Sequence, residues 1–96
     1  MQTEDKVVKS FDMRILEKMT TIPIITVCYN TEDYPGKYVA RLWDVKKLSD
    51  SGIETIDTGM VAIAERLDEI RKAKPPEMMI VDRLPNDKPE IVETWF

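Results

Sequence analysis

The stretch IPIITVCY, Ile22 to Tyr29, constrains the fold more than any other part of the chain. β-Branched residues dominate it and it is apolar on both faces, so it reads as a strand in a central position of a sheet. The loop NTEDYPGK, Asn30 to Lys37, follows, with a Pro-Gly turn at 35–36. YVARLWDV, Tyr38 to Val45, then forms the second arm of a hairpin. Its alternation puts Val39, Arg41, Trp43 and Val45 on one face and Tyr38, Ala40, Leu42 and Asp44 on the other.

Two further segments carry helical spacing. Val8, Phe11, Ile15, Leu16 and Met19 form one apolar stripe, predicting a helix over 4–19 with Thr3 as its N-cap and Lys18 in its last turn. Met60, Ile63, Ala64, Leu67 and Ile70 predict a second helix over about 58–74, capped by Asp57 or Thr58 and stopped by Pro75 and Pro76. GIETI, Gly52 to Ile56, suggests a short strand. MMIVDRL, Met78 to Leu84, reads as a strand, LPNDKP as a turn, and EIVETWF as a last strand alternating Ile91, Glu93 and Trp95 against Val92, Thr94 and Phe96. The order α-β-β-(β)-α-β-β predicts an α+β domain: a mostly antiparallel sheet of four to five strands with two helices on one face. Residues 21–96 form that single domain, and 1–20 a helix attached to it.

The function classes narrow by elimination. With 96 residues the core is thin and offers little depth for a dry catalytic cavity. The chain has no His and one Cys, Cys28, which removes Ser-His-Asp and Cys-His nucleophilic catalysis, single-chain zinc sites of the usual ligand types and an internal disulfide framework. Cys28, in an apolar strand without a basic sequence neighbour, is expected as a structural thiol. No apolar run reaches the ~20 residues of a membrane helix, and MQTEDKVVKS lacks the pattern of a secretory signal, so a cytoplasmic protein without membrane contact is expected. The net charge is −4, and residues 54–96 hold ten acids against six bases, which accounts for all of it. Such a half disfavours direct contact with a nucleic-acid backbone and suits a basic protein surface.

YPGKYVARLWD, the helical pattern D-T-x-x-x-x-x-x-E-R-L-D-E-I-R and RLPNDKPEIVETWF together resemble a group of small uncharacterised proteins from Gram-positive bacteria, their phages and mobile elements. The resemblance covers residues 24–96 and leaves the N-terminal helix unmatched. It implies that residues 1–20 are an added element, a partner-binding or oligomerisation arm, and it bears on fold and origin.

These readings converge on a non-enzymatic, acidic protein-binding module without cofactor or metal. Its most concrete form is a phage or mobile-element inhibitor, anti-CRISPR-like, that covers a basic surface of a nucleic-acid-handling host protein. The candidate partner-binding residues are Asp33 and Tyr34 in the loop, Arg41, Trp43, Glu93 and Trp95 on two strands, Glu65, Asp68 and Glu69 on the second helix, and Asp87 in the last turn. Aromatic and Arg side chains are the usual composition of an interface hot spot. If strands 38–45 and 90–96 are neighbours, Arg41, Trp43, Glu93 and Trp95 form one cluster, which would serve equally as a cross-strand ladder covering the sheet. A homo-oligomeric structural or accessory protein is a second expectation, a homodimer with the N-terminal helix or the edge strand 90–96 as its seam. A metal-dependent enzyme built on Asp82, Asp87 and Glu90 is a third, since hard cations take carboxylates, although their spacing matches no established loop.

Overall fold

A computed structural model describes residues 5–48 and 52–96. The elements, in chain order, are β1 (Lys6–Val7), α1 (Met13–Met19), β2 (Pro23–Tyr29), β3 (Tyr38–Leu48), β4 (Gly52–Ala64), α2 (Leu67–Arg71), β5 (Ile80–Asp82) and β6 (Ile91–Trp95). They build one six-stranded sheet in the order β1-β4-β3-β2-β6-β5. β1 runs parallel to β4 and every other pair is antiparallel, so the sheet is mixed. The four-to-five-stranded α+β layout is thereby corrected: the fold is mostly sheet, with two helices of seven and five residues.

The β-branched run occupies the middle of the sheet, as its two apolar faces require. β2 hydrogen-bonds to β3 on one edge and β6 on the other. One face of it, Ile25 and Val27, is fully buried together with Ala40, Leu42 and Trp95, and the two helices cover this face with Leu16 and Ile70. The core lies between this face and the helices, completed by Phe11, Met60, Ala62, Ala73 and Met78.

Both predicted long helices give way to shorter ones. Residues 52–64 form a single strand in place of the first turns of the 58–74 helix, leaving only Leu67–Arg71 helical. MVAIA carries the apolar character of a helix face but is buried on both sides of a strand: Met60, Val61 and Ala62 are all below one-tenth exposed. A short apolar run fits either period, and pairing with β3 along its length decides it. Gly59 has φ 79°, in the left-handed region, which a helix interior would not accommodate. It sits where the register of β3 and β4 shifts between Arg41 and Trp43. Asp57 accepts the Gly59 N–H at 2.9 Å and Thr58 accepts the Met60 N–H at 3.2 Å. The residues expected to cap a helix thus shape a β-bulge through the same short-range bonds.

At the N-terminal end, Lys6 and Val7 pair beside Met60 and Val61, and helix begins only at Met13. Asp12 caps it, accepting the Arg14 N–H at 3.0 Å; Thr3 lies outside the described residues. Phe11 and Leu16 enter the core, whereas Ile15 and Met19 of the same predicted stripe are exposed. The segment read as an added arm therefore supplies part of the main core.

The postulated cluster of Arg41, Trp43, Glu93 and Trp95 does not form. β2 lies between β3 and β6, and the side chains face opposite ways. Trp95 pairs with Ile25 on the helix-covered face, while Trp43 pairs with Ile24 on the other. One extra residue, Val92, interrupts the β2–β6 register at Val27/Cys28. Ile91 consequently joins Cys28 on the uncovered face, breaking its alternation with Glu93 and Trp95. Glu93, 1% exposed, receives Arg71 from α2 and the Trp95 indole N–H at 2.7 Å. Burial would raise its carboxyl; Arg71 and Trp95 outweigh that and hold it below the usual range.

If α1 belongs to the fold, Leu16→Ala should lower the unfolding free energy by about 2–5 kcal/mol, the cost of truncating a buried Leu. Chemical denaturation reads this directly, and a change under about 0.5 kcal/mol, as for an ordinary surface site, would make the N-terminal segment an independent arm.

Candidate functional site

Among the described residues no helix packs on the second face of the sheet. Along β2 this face presents Ile24, Thr26 and Cys28, and along β3 Val39, Arg41, Trp43 and Val45, in agreement with the face assigned to β3 by alternation. Two loops rise beside it at one end, where β2 ends and β3 and β6 begin. In the loop 30–37, Asn30 adopts φ 56° and accepts the Gly36 N–H at 2.7 Å. Gly36 has φ 72°, and Thr31 accepts the Tyr34 N–H at 3.3 Å. Asn and Gly are the residues that tolerate this backbone, so the loop is held in one shape by its own sequence. In the segment 83–90, Asp87 accepts the Leu84 N–H at 2.9 Å, and Arg83 donates to the carbonyl oxygens of Asp87 and Lys88.

Between the loops lies a groove of about 610 Å³. Its floor is Thr26, Cys28, Val39, Arg41, Trp43 and Ile91, and its loop walls are Thr31, Asp33, Asn86, Asp87, Lys88 and Glu90. The Trp43 indole N–H donates to Thr26 Oγ1 at 2.9 Å, which turns the ring across β3 toward β2 and into the groove. A smaller recess beside it is lined by Asn30, Thr31, Glu32, Asp33 and Glu90. Burial, with Glu90 nearby, pushes the Cys28 thiol up, away from the thiolate that a nucleophile needs.

Arg41 organises the rim on the β4 side. Its guanidinium donates through both terminal nitrogens to Asp5, at 2.8 and 2.9 Å, and through one of them to Asp57 at 3.1–3.2 Å. Asp57 reaches it because the bulge turns that carboxylate onto the uncovered face. Tyr34 donates its hydroxyl to the same Asp5 at 2.7 Å. One network thus ties the N-terminal segment, the 30–37 loop and β3 together. The bond from Arg41 holds the Asp5 carboxyl below the usual carboxylate range despite burial, and Tyr34 adds to the effect. The bond to Asp5, with burial in support, pushes the Tyr34 phenol up to about 12.

The candidate residues therefore separate. Asp33, Arg41, Trp43 and Asp87 meet at the groove, with Tyr34 behind its wall. Glu65 is exposed and pairs with Lys37 of the loop at 2.6 Å, and Asp68 pairs with Arg66. Glu69 is exposed on α2, apart from the groove. Glu93 and Trp95 lie inside the fold, behind the sheet from the groove. Of the three carboxylates considered for a metal, Asp87 and Glu90 line the groove, while Asp82 sits on edge strand β5 beside Glu93. Among the described residues no three Cys, Asp or Glu side chains converge as a metal-ion cage. Thr26, Cys28 and Ile91 joined the site through the register of β2 with β3 and β6, and Lys88 through the 83–90 loop; only the apolar and β-branched character of the strands pointed to the first three in advance. No helix among the described residues is long and apolar enough to cross a membrane. Comparison with protein-family models, curated proteins and solved structures found no match.

The Tyr34–Asp5 bond makes a pH prediction. The phenol's folded-state value of about 12 exceeds its ordinary ~10, so the bond contributes fully below about pH 10 and is lost as pH rises through 12. Tyr34→Phe should cost about 1 kcal/mol at neutral pH, with the gap from the unaltered protein closing between pH 10 and 12 in denaturation curves. Asp5 is shifted downward, so its contribution is present above ~pH 4 and fades as pH falls below that. The stability deficit of Asp5→Asn should shrink over that acidic range.

Proposed function

We propose that this protein is a non-enzymatic binding module that engages another protein through the uncovered face of its sheet. The observation that carries the reading is the groove itself: an aromatic and aliphatic floor with Asp33, Asp87 and Glu90 on its walls against the single Lys88. Arg41 adds no net positive charge there, because Asp5 and Asp57 both face it. Glu32 extends the acidic character at the same end of the sheet, whereas the charge of Glu65 is matched by Lys37. This distribution favours a basic protein partner by electrostatic complementarity and repels a nucleic-acid backbone.

In its most concrete form the module is a cytoplasmic inhibitor of phage or mobile-element origin. It would cover the basic nucleic-acid channel of a host defence nuclease, as an anti-CRISPR protein does. Supporting this form are the net charge of −4 and the resemblance of residues 24–96 to proteins of Gram-positive bacteria, their phages and mobile elements.

A second reading, self-association, draws on Ile15 and Met19 of α1, which are 53% and 46% exposed. The alternative seam, strand 90–96, is not a sheet edge, since β6 has β5 on its outer side. Deleting residues 1–20 would remove Phe11 and Leu16 from the core, so Ile15→Asp with Met19→Asp is the cleaner test. Sedimentation that is monomeric for both proteins excludes self-association through α1.

For the inhibitor reading, the protein is added to a panel of purified CRISPR effector ribonucleoproteins and target-DNA binding is followed by gel shift. Inhibition of at least one effector is expected. It should weaken as ionic strength rises from ~0.05 to ~0.5 M, where the screening length shortens from about 14 Å to about 4 Å, and should be lost in Trp43→Ala. A panel without salt-sensitive binding removes the inhibitor reading.

A further inference from the structure

The groove differs at its two ends. From Val39 to Trp43 the floor spans four residues of β3, or about 13 Å. At the Val39 end, Cys28 and Ile91, half-buried, give an apolar floor with the buried Val39 beneath, and the loop residues Asp33, Asp87 and Glu90 line the walls. At the other end Trp43 presents its ring beside Thr26. An acidic pocket over an aliphatic floor matches a Lys or Arg side chain, whose methylene stem packs on apolar surface while its head remains among charges. The ring at the far end matches a second, apolar side chain.

We propose that the groove is a clamp for an extended segment of a partner protein that carries a Lys or Arg and, two positions later, an apolar side chain. The proposal rests on the reading of the uncovered face as the binding face and specifies what that face accepts. The spacing follows from geometry. Same-side residues of an extended chain stand about 6.6 Å apart, and a basic side chain laid along the floor covers the rest of the 13 Å. The cationic head sits between the loops 30–37 and 83–90, where Asp33 and Glu90 are both exposed and both line the groove and the neighbouring recess. Thr31 and Asn86 on the walls and Thr26 on the floor supply hydrogen-bonding groups for the segment's backbone.

Charge decides against the other occupants. An anionic segment would have to displace Asp5 from a two-point bond to Arg41, made at 2.8 and 2.9 Å, and would then face Asp33, Asp87 and Glu90. A cation meets Arg41 already neutralised by two carboxylates, and Lys88 is the one other cation among the groove-lining residues. The groove is set in the sheet face and not along a strand edge, so recognition runs through side chains more than through strand addition.

The test uses the full chain and fluorescein-labelled, acetylated and amidated hexapeptides read by fluorescence anisotropy at low salt. GSRSLG and GSKSLG should bind with similar affinity, and GSESLG at least about tenfold more weakly. Glu90→Lys should weaken GSRSLG about tenfold, a change of ~1.4 kcal/mol, with circular dichroism confirming that the variant is folded. Trp43→Ala should weaken GSRSLG by a similar factor but leave GSRSSG nearly unaffected, which separates the two ends of the clamp. The proposal is overturned by equal binding of GSRSLG and GSESLG, by no binding of GSRSLG up to about 1 mM, or by affinity that ignores both substitutions. Should the peptides fail while effector inhibition still requires Trp43, the clamp is wrong and the binding face stands. Should inhibition also ignore Trp43 and Glu90, both are wrong.

Discussion

Two helices of seven and five residues cannot cover both faces of a six-stranded sheet, and the rest of the molecule is arranged around that shortage. The helices take one face, where Ile25, Val27, Leu42 and Trp95 are closed off from water. The other face must be made compatible with solvent by different means. Threonines and a charged network occupy part of it, loops 30–37 and 83–90 shelter another part, and Trp43 is tethered by its N–H to Thr26. A groove is the natural residue of such an arrangement, since loops at one end of an open sheet stand beside a floor that neither described helix covers.

The two Arg–carboxylate groups illustrate how differently charge is used on the two faces. Glu93 is enclosed on the helix side, where its desolvation is offset by Arg71 and by the Trp95 indole. Glu93 is 1% exposed and the Arg71 side chain 43%, so the pair links α2 to β6 at the edge of the core. On the uncovered side, Arg41 joins segments distant in sequence: Asp5 before β1, Asp57 in the β4 bulge and, through Asp5, Tyr34 in the hairpin loop. The bulge is the pivot of this second group. Gly59 at φ 79° shifts the β3–β4 register and leaves Asp57 beside Trp43 and within reach of Arg41.

Strong strand propensity was legible where the chain's local preference and its tertiary environment agree. Ile22–Tyr29 and Tyr38–Val45 are strands at nearly the expected bounds, with the expected loop between them and the expected faces on β3. Periodicity misled where an apolar run was short. Met60–Ala64 satisfies a helix stripe and a two-sided strand alike; pairing with β3 decides for the strand, and the parallel partner that completes it, Lys6–Val7, lies more than fifty residues away. Asp57-Thr58-Gly59 offered a capping signal whose bonds serve a bulge equally well. At the site, Arg41, Trp43, Asp33 and Asp87 were legible as polar or aromatic residues on exposed segments. Glu93 and Trp95 have the same composition but the opposite orientation.

By itself the sequence determined the central strand, its hairpin, the acidic excess after residue 53 and the lack of His-based chemistry, because each depends on residue type and short-range spacing. Tertiary structure alone decided strand order, the mixed sheet and which Trp is enclosed. Inserting β2 between β3 and β6 separates Trp43 from Trp95, and pairing with β2 sends the two rings to opposite faces. Sequence periodicity specifies which residues share a face of one strand, but only hydrogen-bonded register between strands specifies which faces coincide.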